Sequence, residues 1–168
     1  MLVDKYPWLL EPSLLTIIIR TLLALVCAGL IGFERGTHGS EAGLRTHILV
    51  CLGAMIAMCT GEFVAMYYSA DAERIGAQVV SGIGFLGAGT IMVNRGHVKG
   101  LTTAAGLWAS ACIGLAIGTG FYEAAIVGTA AVFFVERGLK GLSKNHRNKN
   151  SFPDDSRYIG AEDPGIDE

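Results

Sequence analysis

Charged residues cut the chain into five apolar segments: 13–33, 46–68, 75–93, 101–118, and 123 to about 139. A membrane-crossing helix needs about 20 apolar residues at about 1.5 Å each. The first four segments meet or approach that length. The fifth has twelve residues uninterrupted by charge, Ala124 to Val135, before Glu136 and Arg137. Small residues recur within the segments at spacing four: Ala24, Ala28 and Gly32; Gly53, Ala57, Gly61 and Ala65; Gly106, Ser110, Gly114 and Gly118; Ala124 and Gly128. Helices gain little by hiding apolar surface from equally apolar lipid tails. They associate instead by close packing and interhelical hydrogen bonds, which small residues permit. The pattern predicts an all-α polytopic membrane bundle of about five transmembrane helices.

Lysine and arginine counts orient the bundle, because cytoplasmic loops hold the excess of positive charge. Arg35 and Arg45 flank the first loop, Arg95 and Lys99 the third, and Arg137, Lys140, Lys144, Arg147 and Lys149 follow segment five. The opposite side has Lys5 and Arg74. Nine against two predicts an N-terminus outside, a C-terminus inside and five spans, the fifth short, tilted or locally thinning the bilayer. Residues 1–12 then form a short extracytoplasmic N-terminus, 13–140 the transmembrane domain, and 141–168 a basic, then acidic cytoplasmic tail expected to be disordered.

Composition agrees with this class. The chain is 51% apolar and 17% charged with a mean hydropathy of +0.46, which excludes a disordered chain and argues against a soluble globule. The net charge of −2 averages a hydrophobic body, a basic stretch and an acidic tail, so no nucleic-acid partner is expected. Cys27, Cys51, Cys59 and Cys112 lie in apolar runs without CxxC spacing and are expected to be buried free thiols. The first apolar run follows Met-Leu-Val-Asp-Lys and is closed by no small-x-small site, so it is expected to stay as a span.

Candidate chemistry is sparse. Gly82-Ile83-Gly84-Phe85-Leu86-Gly87 formally matches GxGxxG, but lies inside a membrane-length apolar run rather than between a strand and a helix, so helix packing or a local break is the expected role. The chain has no nucleophile elbow, no HExxH and no carboxylate pair at helical spacing; no catalytic role, cofactor or metal site is expected.

The charges within the apolar segments carry more information. Arg20 and Glu62 should lie at similar depth, and an isolated charge in hydrocarbon costs several kcal/mol. They are expected to face the interior and pair, unless each snorkels outward alone; Gln78 is a third polar candidate along that path. At the cytoplasmic mouth, Glu34, Arg35, Arg45, Thr46 and His47 surround the first loop, and Arg95, Thr102 and Thr103 the third. Glu34 is placed to pair with Arg45 or Arg95, although loop solvation explains the basic residues equally well. Gly84, Ala88, Gly106, Ser110 and Gly114 mark faces for helix packing or for a partner, including a second copy in a homo-oligomer.

Two signatures carry a family resemblance. Gly32-Phe33-Glu34-Arg35 followed by Ala42-Gly43-Leu44-Arg45-Thr46-His47 resembles the first signature of the MgtC/SapB family of bacterial membrane proteins. The run from Gln78 to Gly89, followed by Gly100-Leu101-Thr102-Thr103-Ala104-Ala105-Gly106-Leu107-Trp108, resembles the second nearly residue for residue. The resemblance covers about 13–140. It implies a multi-pass protein of the bacterial cytoplasmic membrane, associated with growth at low magnesium and, in pathogens, with survival inside phagocytes. It further implies a regulator that contacts the membrane sector of the F-type ATP synthase. Longer members carry a C-terminal ACT-like domain, and the shorter SapB-like architecture is the closer match. A magnesium or other small-solute transporter is the alternative, with Glu34, Glu62 and Gln78 lining its path.

Overall fold

A computed structural model describes residues 5, 13–37, 40–68, 70–94 and 97–138. Its helices are α1 (Leu14–Thr37), α2 (Leu44–Tyr68), α3 (Glu73–Gly89), α4 (Leu101–Gly118) and α5 (Tyr122–Gly138), with a hairpin of β1 (Met92–Asn94) and β2 (His97–Lys99) between α3 and α4. The expected tail, 141–168, lies outside the described residues, as does all of the N-terminal stretch 1–12 except Lys5.

Local chemistry sets the helix ends. Ser13 caps α1, its hydroxyl accepting the Thr16 amide hydrogen bond at 3.2 Å. Asp71 does the same for α3, accepting from the Glu73 amide at 2.9 Å. The third apolar segment runs in sequence to Val93, but α3 stops at Gly89, because the Thr90 amide and hydroxyl both turn back to donate to the Gly87 carbonyl, at 3.0 and 2.8 Å. Met92 to Asn94 then pair antiparallel with Lys99 to His97, so this part of the expected span is a strand. Gly100 closes the hairpin with φ of 89°, and a Cβ there would run into the Thr90 carbonyl. Only glycine fits both demands.

The helices alternate in direction. Arg20 of α1, Glu62 of α2 and Gly118 of α4 meet at one end, and Arg35 of α1, Thr103 of α4 and Glu136 of α5 meet at the other. These are called the Arg20 end and the Arg35 end; fifteen α1 residues, about 22 Å of helix, separate them. Between them lies an apolar layer of Ala24, Cys27, Ala28 and Ile31 from α1, Cys51 and Met55 from α2, Ile113 and Ile117 from α4, and Ala125 from α5. A smaller cluster, Ala54, Ile83 and Ala111, holds α3 against α2 and α4. The four cysteines are free thiols.

Bulky apolar side chains cover the outside, among them Leu22, Leu30, Phe33, Ile56, Phe85, Trp108 and Phe134, while Arg20, Arg35, His47 and Glu136 are buried. That is the reverse of a domain selected for water. By length and composition α1, α2 and α4 can cross a membrane, whereas α3 and α5 have 17 residues each.

Candidate functional site: polar clusters at both ends of the bundle

At the Arg20 end, one guanidinium reaches three other helices. Arg20 Nη1 donates to Glu62 Oε2 at 2.9 Å and Cys59 Sγ at 3.4 Å on α2, and to the Gly118 carbonyl of α4; Nε donates to the Tyr122 hydroxyl of α5 at 3.3 Å. Arg20 is 2% exposed and Glu62 28%. Beside them, an open cleft between α1 and α2, about 320 Å³, is lined by Thr16, Ile17, Met55, Cys59, Thr60 and Phe63 as well as Arg20. Gln78 is not part of this cluster. It lies exposed on α3, lining a separate groove with Arg74 and Asp71.

At the Arg35 end, Arg35 Nη2 donates to Thr103 Oγ1 at 2.7 Å, and its Nε lies 3.7 Å from Glu136 Oε1. Glu34 is buried, and Arg137 of α5 lies 3.8 Å from its carboxylate, a cation that the reading of the loops did not offer it. Arg45, Thr46 and Thr102 are exposed, and Arg95 lies outside the described residues. His47 is fully buried, with Nδ1 2.9 Å from the Gly43 carbonyl.

Glu136 is the functional candidate that the charge pattern concealed, because an acid next to an arginine after an apolar run reads as the end of a span. Its helical spacing was the available signal: Tyr122, Ala125, Thr129 and Glu136 form the buried face of α5. Among the described residues no group of three or more His, Cys, Asp or Glu side chains could hold a metal ion.

The proposed partner faces divide. Gly106, Ser110 and Gly114 are buried inside the chain, Gly114 directly against the Cys51 carbonyl, so they serve intrachain packing and are closed to a partner. Gly84 and Ala88 are exposed on α3, and nothing lies within 4 Å of a Cβ built at Gly84.

Comparison with known proteins decides the family, since the MgtC family model matches residues 21–145. The chain belongs to the MgtC family. It is 41% identical over 139 residues to the putative magnesium transporter YhiD of Escherichia coli K12, covering 79% of this chain and 65% of that protein. It is 43% identical over 119 residues to protein MgtC of Brucella abortus, covering 71% and 49%. An uncharacterised protein of Haemophilus influenzae is 34% identical over 168 residues, covering 90% and 71%. The chain therefore spans about half to two thirds of the length of the first two relatives. No solved structure matches it. In this MgtC-family chain the first signature supplies Gly32, Glu34, Arg35 and His47 to the Arg35 end, where a Cβ on Gly32 would lie 2.7 Å from Leu44 Cα, so this glycine lets α1 and α2 touch.

Proposed function

We propose that this chain is a membrane regulator of low-magnesium adaptation and membrane-energy homeostasis, not an enzyme, which acts by binding another membrane complex. In this reading all five helices cross the bacterial cytoplasmic membrane with the Arg20 end outside, as the nine-to-two bias of basic residues favours. The observation that carries regulation over transport is the apolar layer between the ends, in which Ala24, Ile31, Cys51, Ile117 and Ala125 are each 0% exposed. The side chains of that layer offer a hydrated ion no oxygen ligand, and both end clusters hold charges in ion pairs.

Sealed liposomes holding the purified protein test this, with magnesium and proton flux followed separately. Folded protein is expected to be silent. Flux that disappears in the Glu34→Gln/Glu62→Gln double variant would overturn the regulator reading in favour of transport, the second reading, which the name of the Escherichia coli relative favours.

The partner in this proposal is the membrane sector of the F-type ATP synthase, and its contact is the outward face of α3. Ala88→Leu is expected to lower capture of that sector from solubilised membranes while leaving the abundance of the protein unchanged, since Ala88 is exposed. Undiminished capture would remove α3 from the interface.

A further inference from the structure

The β1–β2 hairpin joins α3 to α4 at the Arg35 end, to which Thr103 in the first turn of α4 belongs. Side chains alternate across a strand, so successive cross-strand pairs occupy opposite faces. Val93 pairs with Val98 on one face, and Met92 with Lys99 on the other. Val93 is 72% exposed and Val98 50%, so the described residues leave this apolar, β-branched pair largely uncovered.

Helix length decides where the hairpin sits once α3 and α4 cross the membrane, as the five-span reading has them. α3 has 17 residues and α4 has 18, about 25 and 27 Å of helix. The hydrocarbon core is about 30 Å thick. Thr90 and Ile91 separate α3 from β1, and Gly100 alone separates β2 from α4, so the tethers are too short to lift the hairpin clear of the bilayer. The core itself is closed to it. A two-stranded sheet leaves N–H and C=O groups on both outer edges, which hydrocarbon cannot satisfy. In water the valine pair would stay hydrated, and a lone two-stranded hairpin is marginally stable there. The boundary between headgroups and acyl chains meets both demands.

We propose that the β1–β2 hairpin is an interfacial membrane anchor, its Val93–Val98 face inserted between the headgroups and acyl chains of the leaflet at the Arg35 end. The occupant of that face is lipid rather than a protein surface, because the valine pair continues the apolar exterior of the two helices it joins, where Phe85 of α3 is 84% exposed and Leu101 of α4 58%. Lys99, exposed on the opposite face, brings an ammonium to headgroup level, so anionic headgroups strengthen the anchor. The outer edges of the strands take their hydrogen bonds from water and headgroup oxygens. Seated there, the hairpin holds two short helices at one depth in the leaflet.

Nitroxide labels on the full chain in bilayers of phosphatidylethanolamine and phosphatidylglycerol test this, read by collision with oxygen, which concentrates among acyl chains, and with a nickel chelate, which stays in water. Cys59 and Cys112 are replaced by alanine, and the buried Cys27 and Cys51 are kept. Labels on Val93→Cys and Val98→Cys, which displace no packed side chain, are expected to collide more with oxygen, and a label on Lys99→Cys more with nickel. Phe85→Cys on α3 is the control. If its label meets nickel, α3 does not cross and the five-span reading falls together with the anchor. An oxygen-limited Phe85 label beside nickel-accessible labels at 93 and 98 would overturn the anchor alone. Labels at 93 and 98 shielded from both reagents would also overturn it, in favour of a protein partner or a second copy covering the face. Val93→Asp/Val98→Lys keeps an attractive cross-strand pair but abolishes the apolar face. In that variant a label on Met92→Cys is expected to gain nickel collisions, and unchanged collisions in the folded variant would count against the proposal as decisively.

Discussion

Leucine in place of Gly114 is expected to prevent the protein from accumulating in folded form, whereas leucine in place of Gly84 is expected to be tolerated. Both are glycines in apolar helices, and composition does not tell them apart. A Cβ on Gly114 would enter the Cys51 carbonyl and stand 3.0 Å from the Ala54 Cβ, and one turn later a Cβ on Gly118 would stand 2.6 Å from the Met58 Cβ and 2.8 Å from the Met55 carbonyl oxygen. The obstacle is the backbone of α2, which cannot rotate aside as a side chain can. Overpacking an ordinary core costs about 1–3 kcal/mol, and a backbone collision exceeds that range. The two helices would have to separate, losing the contacts that hold them together in lipid. Yield of monodisperse protein by size-exclusion chromatography in mild detergent measures the difference. Equal yields for Gly114→Leu and Gly84→Leu would show that close approach of α2 and α4 is not what stabilises the bundle.

The segments that become helices were legible because charge is costly in lipid and therefore punctuates the chain. The faces were legible only in part, and the period explains why. Spacing four correctly groups Ala24, Ala28 and Gly32 on α1 and the Gly106 to Gly118 series on α4, all buried. On α2 the buried line is His47, Cys51, Ala54, Met58 and Gly61, a spacing nearer 3.5, whereas Gly53 from the spacing-four series is exposed. The same drift puts Ala125 and Thr129 inside on α5 rather than Ala124 and Gly128. It also separates His47 from its neighbours Arg45 and Thr46, which share its motif but point outward. The hairpin was hidden by its own composition, since Met92 and Val93 extend an apolar run that reads as the end of a span.

Removing one partner of the Arg20–Glu62 pair should cost more than removing both. Arg20 joins α1 to α2, α4 and α5, so Arg20→Leu leaves the Glu62 carboxylate without its cation, and also leaves the Gly118 carbonyl and the Tyr122 hydroxyl without this donor. Breaking a buried ion pair from one side costs about 3–5 kcal/mol, and the 28% exposure of Glu62 places this pair at the lower end, about 3 kcal/mol. Glu62→Leu strands the more deeply buried charge, although Arg20 keeps its bonds to Gly118 and Tyr122. The double variant Arg20→Leu/Glu62→Leu removes both charges into a site already bordered by Ile17, Ile56 and Phe63, and is expected to recover part of the loss. Arg20→Lys should not substitute, because a single ammonium cannot present the separate Nε and Nη1 donors that reach α5 and α2 together. Reversible unfolding in micelles, read as a double-mutant cycle, measures the coupling directly. Additive losses from the two single variants would mean that the 2.9 Å contact carries no coupling, and that Arg20 holds the bundle through the Gly118 carbonyl and Tyr122 instead.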